Sequence, residues 1–178
     1  MFNELFDLPE LKPFIVRKSF KAKDILLAQG EISHQMILID SGCLRLFHLT
    51  EDGREVTTQF FFEGDQVSVF ESFYEQLPSD YNLQALEDCQ LRFLDRVYFM
   101  AFLKENPDAN DQLTELLYMK MKTYSRLFLS RIQNKPEQRY QELIEEYAEL
   151  LHRIPDQYLA SYLGMTPVSF SRIKKRLT

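Results

Sequence analysis

The stretch that decides the fold runs from Asp156 to Leu177, "DQYLASYLGMTPVSFSRIKKRL". It holds two short amphipathic runs, "QYLASYL" and "TPVSFSRIKKRL", on either side of Gly164. Ala160 is small enough to let two helices approach. Gly164, four residues on, accepts the left-handed conformation that ends a first helix. Thr166 suits the cap of a second helix and Pro167 its first position. Leu159, Leu163, Met165, Phe170 and Ile173 supply a shared apolar core. The spacing predicts a helix-turn-helix.

At 100° per residue, Phe170, Ile173 and Leu177 fall on one side of the second helix. Val168, Arg172 and Lys175 fall almost opposite, flanked by Ser169, Ser171 and Arg176. That outward set suits a DNA major groove, where Arg reads guanine, Ser reads either base type and an apolar group meets the thymine methyl. Gln157, Ser161 and Thr166 are placed to donate to phosphates. Charge agrees: residues 153–178 hold five bases against Asp156, net +4 in a chain of net −6, which leaves −10 for the rest. The competing reading is a helical cap whose bases merely complement the last helix dipole. Spacing, cap, apolar set and charge together favour double-stranded DNA as the partner.

Working back along the chain, no Gly or Pro interrupts 108–133. Leu113, Leu117, Met121, Tyr124, Phe128 and Ile132 recur every three or four residues there, one stripe of a helix nearly 40 Å long. The stripe is long for so small a chain; its candidate partners are the barrel and a twofold mate, of which the mate is favoured. Pro136 opens a further helix, with Tyr140, Leu143, Ile144, Tyr147, Leu150 and Leu151 on one face. Glu142, Glu145, Glu146 and Glu149 form a solvated face opposite. Residues 98–105 suit a short helix stopped before Pro107.

Before that the pattern is β. Gly30, Gly42, Gly53 and Gly64 recur every eleven or twelve residues between apolar runs: "FIVRKSF", "DILLAQ", "MILIDS", "CLRLFHL", "REVTTQFFF", "QVSVF" and "YNLQALEDCQLRFLD". Turns at that spacing predict short antiparallel strands, and Asp52-Gly53 is a hairpin signal. Residues 14–96 therefore read as a sandwich or barrel of roughly eight strands.

Other classes are set aside on chemistry. The composition is globular, at 45% hydrophobic and 27% charged. No run of eighteen apolar residues spans a membrane, and the N-terminus lacks the layout of a secretory leader, so a cytoplasmic location is expected. Cys43 and Cys89 lie in strand-like segments and read as small buried hydrophobes. His34, His48 and His152 are isolated, which argues against a metal and against a cupin-like enzyme with its His-x-His pair. No catalytic grouping is found. A ligand-sensing or protein-interaction module that binds no DNA is the alternative from another class.

"IPDQYLASYLGMTPVSFSRIKKRL" closely resembles the C-terminal helix-turn-helix of Crp/Fnr-type bacterial transcription regulators. "SGCLRLF", "EDGRE", "FFEGD" and "KPEQRYQELI" fall in the order that family requires. The resemblance implies an α+β chain in three parts. These are an antiparallel β-roll (double-stranded β-helix) of cyclic-nucleotide-binding type over 1–107, a dimerisation helix over 108–134, and a winged-helix-like helix-turn-helix domain over 135–178. It implies a homodimer on near-palindromic DNA, with RNA polymerase as a further partner. Val168, Ser169 and Arg172 take the family's base-reading positions, and Val168 stands where an acid is often found. The family's cyclic-nucleotide cassette carries Gly-Glu and then Arg-Ser/Thr-Ala. Here Glu71 follows Phe70, and Ser79-Asp80-Tyr81 replaces the basic triplet. No Lys or Arg lies between Arg54 and Arg92. Glu71, Ser72, Ser79 and Asp80 are thus the candidate effector pocket, and it is not expected to bind cAMP. No cofactor is expected, and any other effector is open.

Overall fold

Eight strands, six α-helices and three short 3-10 helices make up the computed structural model, which describes residues 2–147 and 151–177. Two of the helix-face positions read above, Glu149 and Leu150, lie outside the described residues. By contact the chain divides into two units, residues 1–54 with 58–114, and residues 55–57 with 115–178.

The strands are β1 (Ile15–Phe20), β2 (Ile25–Leu27), β3 (Gln35–Ser41), β4 (Leu44–Leu49), β5 (Glu55–Phe61), β6 (Gln66–Val67), β7 (Asn82–Ala85) and β8 (Cys89–Asp95); all belong to the first unit except the first three residues of β5, which belong to the second. They form two four-stranded sheets, ordered β1-β8-β3-β6 and β2-β7-β4-β5. The ladders given by register are antiparallel, with Ile15 opposite Leu94 and Ile37 opposite Phe93. Inward positions alternate as a pleated strand demands: Ile37 and Ile39 on β3, and Cys89, Leu91 and Phe93 on β8, pack with Leu44, Phe61, Val67 and Leu83 in one core. Eight strands match the sequence reading, and all but the sixth extend about as read.

The run read as a sixth strand through Phe70 is different. β6 stops at Val67, and α1 (Phe70–Glu75) follows. The buried Phe73 holds this helix down, its ring edge-on to Phe99 at 5.7 Å. Six residues are too few for a helical period to stand out against a strand-like flank. α2 (Arg96–Glu105) stops where expected, and α3 (Pro107–Gln133) opens on the proline itself. Asn106, just before it, is non-helical at φ −126° and ψ 85°, as a residue preceding proline prefers.

Gly42 shows why that turn requires glycine. Its φ is 107°, and a Cβ there would lie 2.4 Å from Cys89 Sγ and 2.9 Å from the Asp88 carbonyl oxygen. Both cysteines are free thiols and fully enclosed. Burial pushes the Cys89 thiol up to about 11, so it stays protonated and a poor nucleophile at neutral pH. Gly42→Ala is expected to destabilise the protein by more than about 2 kcal/mol, because positive φ and overlap with Cys89 add. Gly53→Ala, with open space around it at φ 81°, should lose only about 1–2 kcal/mol. Denaturant melts of the two variants check this; equal losses would remove the special role of Gly42.

The second unit contains the later part of α3, then α4 (Pro136–Tyr147), α5 (Asp156–Tyr162) and α6 (Pro167–Leu177). Residues 115–177 contribute no strand among those described. Tyr140, Leu143, Ile154, Leu159, Leu163, Phe170 and Ile173 are its buried core. Tyr140 meets Phe170 edge to face, centroids 5.3 Å apart.

Candidate nucleic-acid interface

The turn between α5 and α6 is a Schellman motif. The Met165 N–H donates to the Ala160 carbonyl at 2.9 Å, and the Gly164 N–H to the Ser161 carbonyl at 3.0 Å. Gly164 sits at φ 65° and Ala160 is fully buried. These are the two positions whose residue types the motif constrains most. At the start of α6, Thr166 Oγ1 accepts from the Ser169 N–H at 3.2 Å and donates to Ser169 Oγ at 3.0 Å. Pro167 occupies the first helical position.

Two arginines that the sequence did not reveal steady the same turn. Arg139 Nη1 donates to the Leu163 carbonyl at 2.6 Å, and Arg131 Nη2 donates to the Tyr162 carbonyl. Both satisfy carbonyls that the end of α5 leaves without helical partners, where a cation also suits the dipole. Arg131 lies over the Tyr162 ring at 5.5 Å. Burial pulls its pKa down, and the nearby charge of Arg139 adds to that. Nothing in local spacing marks these residues, because each reaches α5 from another helix.

The outward face of α6 is as read. Val168, Ser169, Arg172 and Lys175 are exposed, while Phe170 and Ile173 are buried. The four bases of this helix divide sharply. Lys174 Nζ pairs with Asp156 at 2.7 Å, and Arg176 Nη2 with Glu137 at 2.6 Å; the Arg176 hydrogen bond, first, lowers the Glu137 carboxyl pKa. Exposed pairs of this kind contribute little to stability, but they absorb two of the positive charges. Arg172 and Lys175 have no acidic partner among the described residues. Gln157 and Thr166 are exposed. Ser161 is half-buried, and its hydroxyl is engaged by its own unit, donating to the Glu55 carbonyl at 2.8 Å and accepting from the Thr57 N–H at 2.9 Å. That leaves it poorly placed to donate to a phosphate.

The four candidate effector residues differ in exposure and in the use of their polar groups. Glu71 and Asp80 are exposed, whereas Ser72 and Ser79 are buried. Ser72 Oγ accepts from the Ser33 N–H at 2.9 Å and donates to the Leu77 carbonyl at 2.5 Å. Ser79 Oγ bonds the N–H and carbonyl of Tyr81. Both hydroxyls thus hold their own loop. A cavity of about 660 Å³ does lie within the roll, and none of the four lines it. Leu27, Ile37, Leu83 and Phe93 form apolar wall, with Glu31 and His34 on its polar side, and no Lys or Arg lines it. Among the described residues no group of three or more His, Cys, Asp or Glu could hold a metal ion. No described helix is long and apolar enough to cross a membrane.

Residues 17–106 match the family model of the cyclic nucleotide-binding domain. The chain belongs to that family, and its fold is that of the Crp/Fnr-type transcription regulators. FixK2 from Bradyrhizobium japonicum superposes with a TM-score of 0.82 at 16% identity, over 92% of this chain and 84% of that one. The c-di-GMP-responsive global regulator CLP from Xanthomonas campestris gives 0.76 at 17%, over 93% and 87%. A protein assigned to the Crp/Fnr family of transcriptional regulators from Eubacterium rectale gives 0.76 at 18%, over 97% and 85%. No curated protein matches the sequence.

The cap yields a direct prediction. Thr166→Ala should lose about 1 kcal/mol in thermal or denaturant unfolding, and Thr166→Ser should restore most of it. An unchanged midpoint in Thr166→Ala would show that the hydroxyl does not cap α6.

Proposed function

We propose that this protein is a dimeric, sequence-specific DNA-binding transcription regulator of the Crp/Fnr type that does not respond to cAMP. The observation that carries the reading is the outward face of α6. There Arg172 and Lys175 stand exposed without acidic partners, while the neighbouring Lys174 and Arg176 are neutralised by Asp156 and Glu137. A helix merely ending in bases for its own dipole would leave no reason for that division.

The second support is α3. Met121, Tyr124, Phe128 and Ile132 are 69%, 47%, 65% and 65% exposed in the single chain. Leu117 is half-buried, and Leu113, at the head of the stripe, is buried within the first unit. The stripe from Leu117 onward follows the three-four spacing of a two-helix seam, and a second copy of α3 would cover it. Such a dimer would present two α6 helices to successive major grooves, about 34 Å apart. RNA polymerase would be the partner through which binding affects transcription, in the cytoplasm. As for the effector, the roll's cavity offers Glu31 and no Lys or Arg to a cyclic phosphate, and the Glu31 carboxylate would repel an anion beside it.

Anisotropy titrations against a mixed pool of duplexes at two salt concentrations test the reading. Binding should weaken steeply with salt. On a preferred sequence Arg172→Ala should lose about 1–3 kcal/mol. Lys175→Ala should weaken all sequences alike and lower the salt slope by about one. Phe128→Lys with Met121→Lys should turn the dimer into a monomer by light scattering and weaken operator binding. Cyclic AMP should leave the melting temperature unchanged, since a ligand that binds only the folded state must raise it. Absence of DNA binding at low salt would overturn the proposal.

A further inference from the structure

Val168 is the anomaly of the tail. It is 61% exposed, and as a β-branched residue near the start of a helix it gains nothing in propensity over Ala. Among the described residues after α3, only Leu177, at 39%, joins it as an exposed large apolar side chain. Neither packing nor helix formation accounts for it.

Its neighbours define what it faces. Val168, Arg172 and Lys175 lie within about 60° of one another around α6, at 100° per residue. Ser169, beside them, has its hydroxyl and N–H held by Thr166, so it serves first as part of the cap. The reading face therefore reduces to one apolar branched group and one guanidinium, with Lys175 a turn beyond. Arg172 suits the O6 and N7 acceptors of guanine. Val168 has no donor or acceptor and can meet neither a phosphate nor a polar base edge. The one apolar feature in a B-DNA major groove is the thymine C5-methyl. Four residues of helix rise cover about 6 Å, close to two base steps of about 3.4 Å.

We infer that Val168 is a specificity-determining residue that contacts a thymine methyl, within about two base steps of a guanine read by Arg172, in each half-site. The inference rests on the proposed role of the chain as a DNA reader.

The experiment uses the full chain and a tight duplex selected from a randomised pool. Each thymine of one half-site is replaced in turn by deoxyuridine, which removes only the methyl. One replacement should weaken wild-type binding about fourfold, the share of one buried methyl-sized group. Val168→Ser should bind the thymine and uracil duplexes equally well. If selected duplexes bind specifically and depend on Arg172, yet no uracil replacement matters or Val168→Ser still prefers thymine, the inference fails and the regulator reading stands. If no sequence is preferred at all, both fail.

Discussion

The geometry of the tail depends on one residue in the left-handed region. Gly164, at φ 65°, lets α5 stop and α6 leave at an angle that buries Phe170 and Ile173 and turns Val168, Arg172 and Lys175 outward. The Met165–Ala160 and Gly164–Ser161 hydrogen bonds close the turn. Arg139 then occupies the space beside it: a Cβ on residue 164 would lie 3.3 Å from its Nη1. Without that turn, α5 and α6 would hold the same residues in no useful arrangement.

Charge reinforces the division of labour. The chain carries −6 overall, and no Lys or Arg lines the cavity in the roll of the first unit. The tail concentrates bases, and two of them are already neutralised within the unit. What α6 keeps available for a polyanion is thus the patch of Arg172 and Lys175 on one face. Such a patch suits a reader whose affinity comes from two copies engaging at once, because linking two modest sites raises overall affinity without new contacts.

Much of this was legible in sequence because its causes are local. Positive-φ glycines at 30, 42, 53 and 64 punctuate strands whose alternation is read directly, and the Ala160–Gly164–Thr166–Pro167 series declares the helix-turn-helix. What was hidden arises from contacts distant in the chain. α1 is one short helix held by Phe73 against Phe99, and its apolar lead-in reads as strand. Arg131 and Arg139 act on α5 from other helices. Ser72 and Ser79 look available as pocket residues, but their hydroxyls turn inward to bond Leu77 and Tyr81. A polar side chain's local sequence does not say which way it points, so the effector residues were the least readable part. None of the four lines the roll's cavity.

The most direct measurement is selection of bound duplexes from a randomised pool by the full chain, followed by alignment of the enriched sequences. The account predicts sites with twofold symmetry whose half-sites lie about one helical turn, roughly 10 base pairs, apart. Enrichment of sites without symmetry, or no enrichment at all, would contradict a dimer that reads DNA with α6.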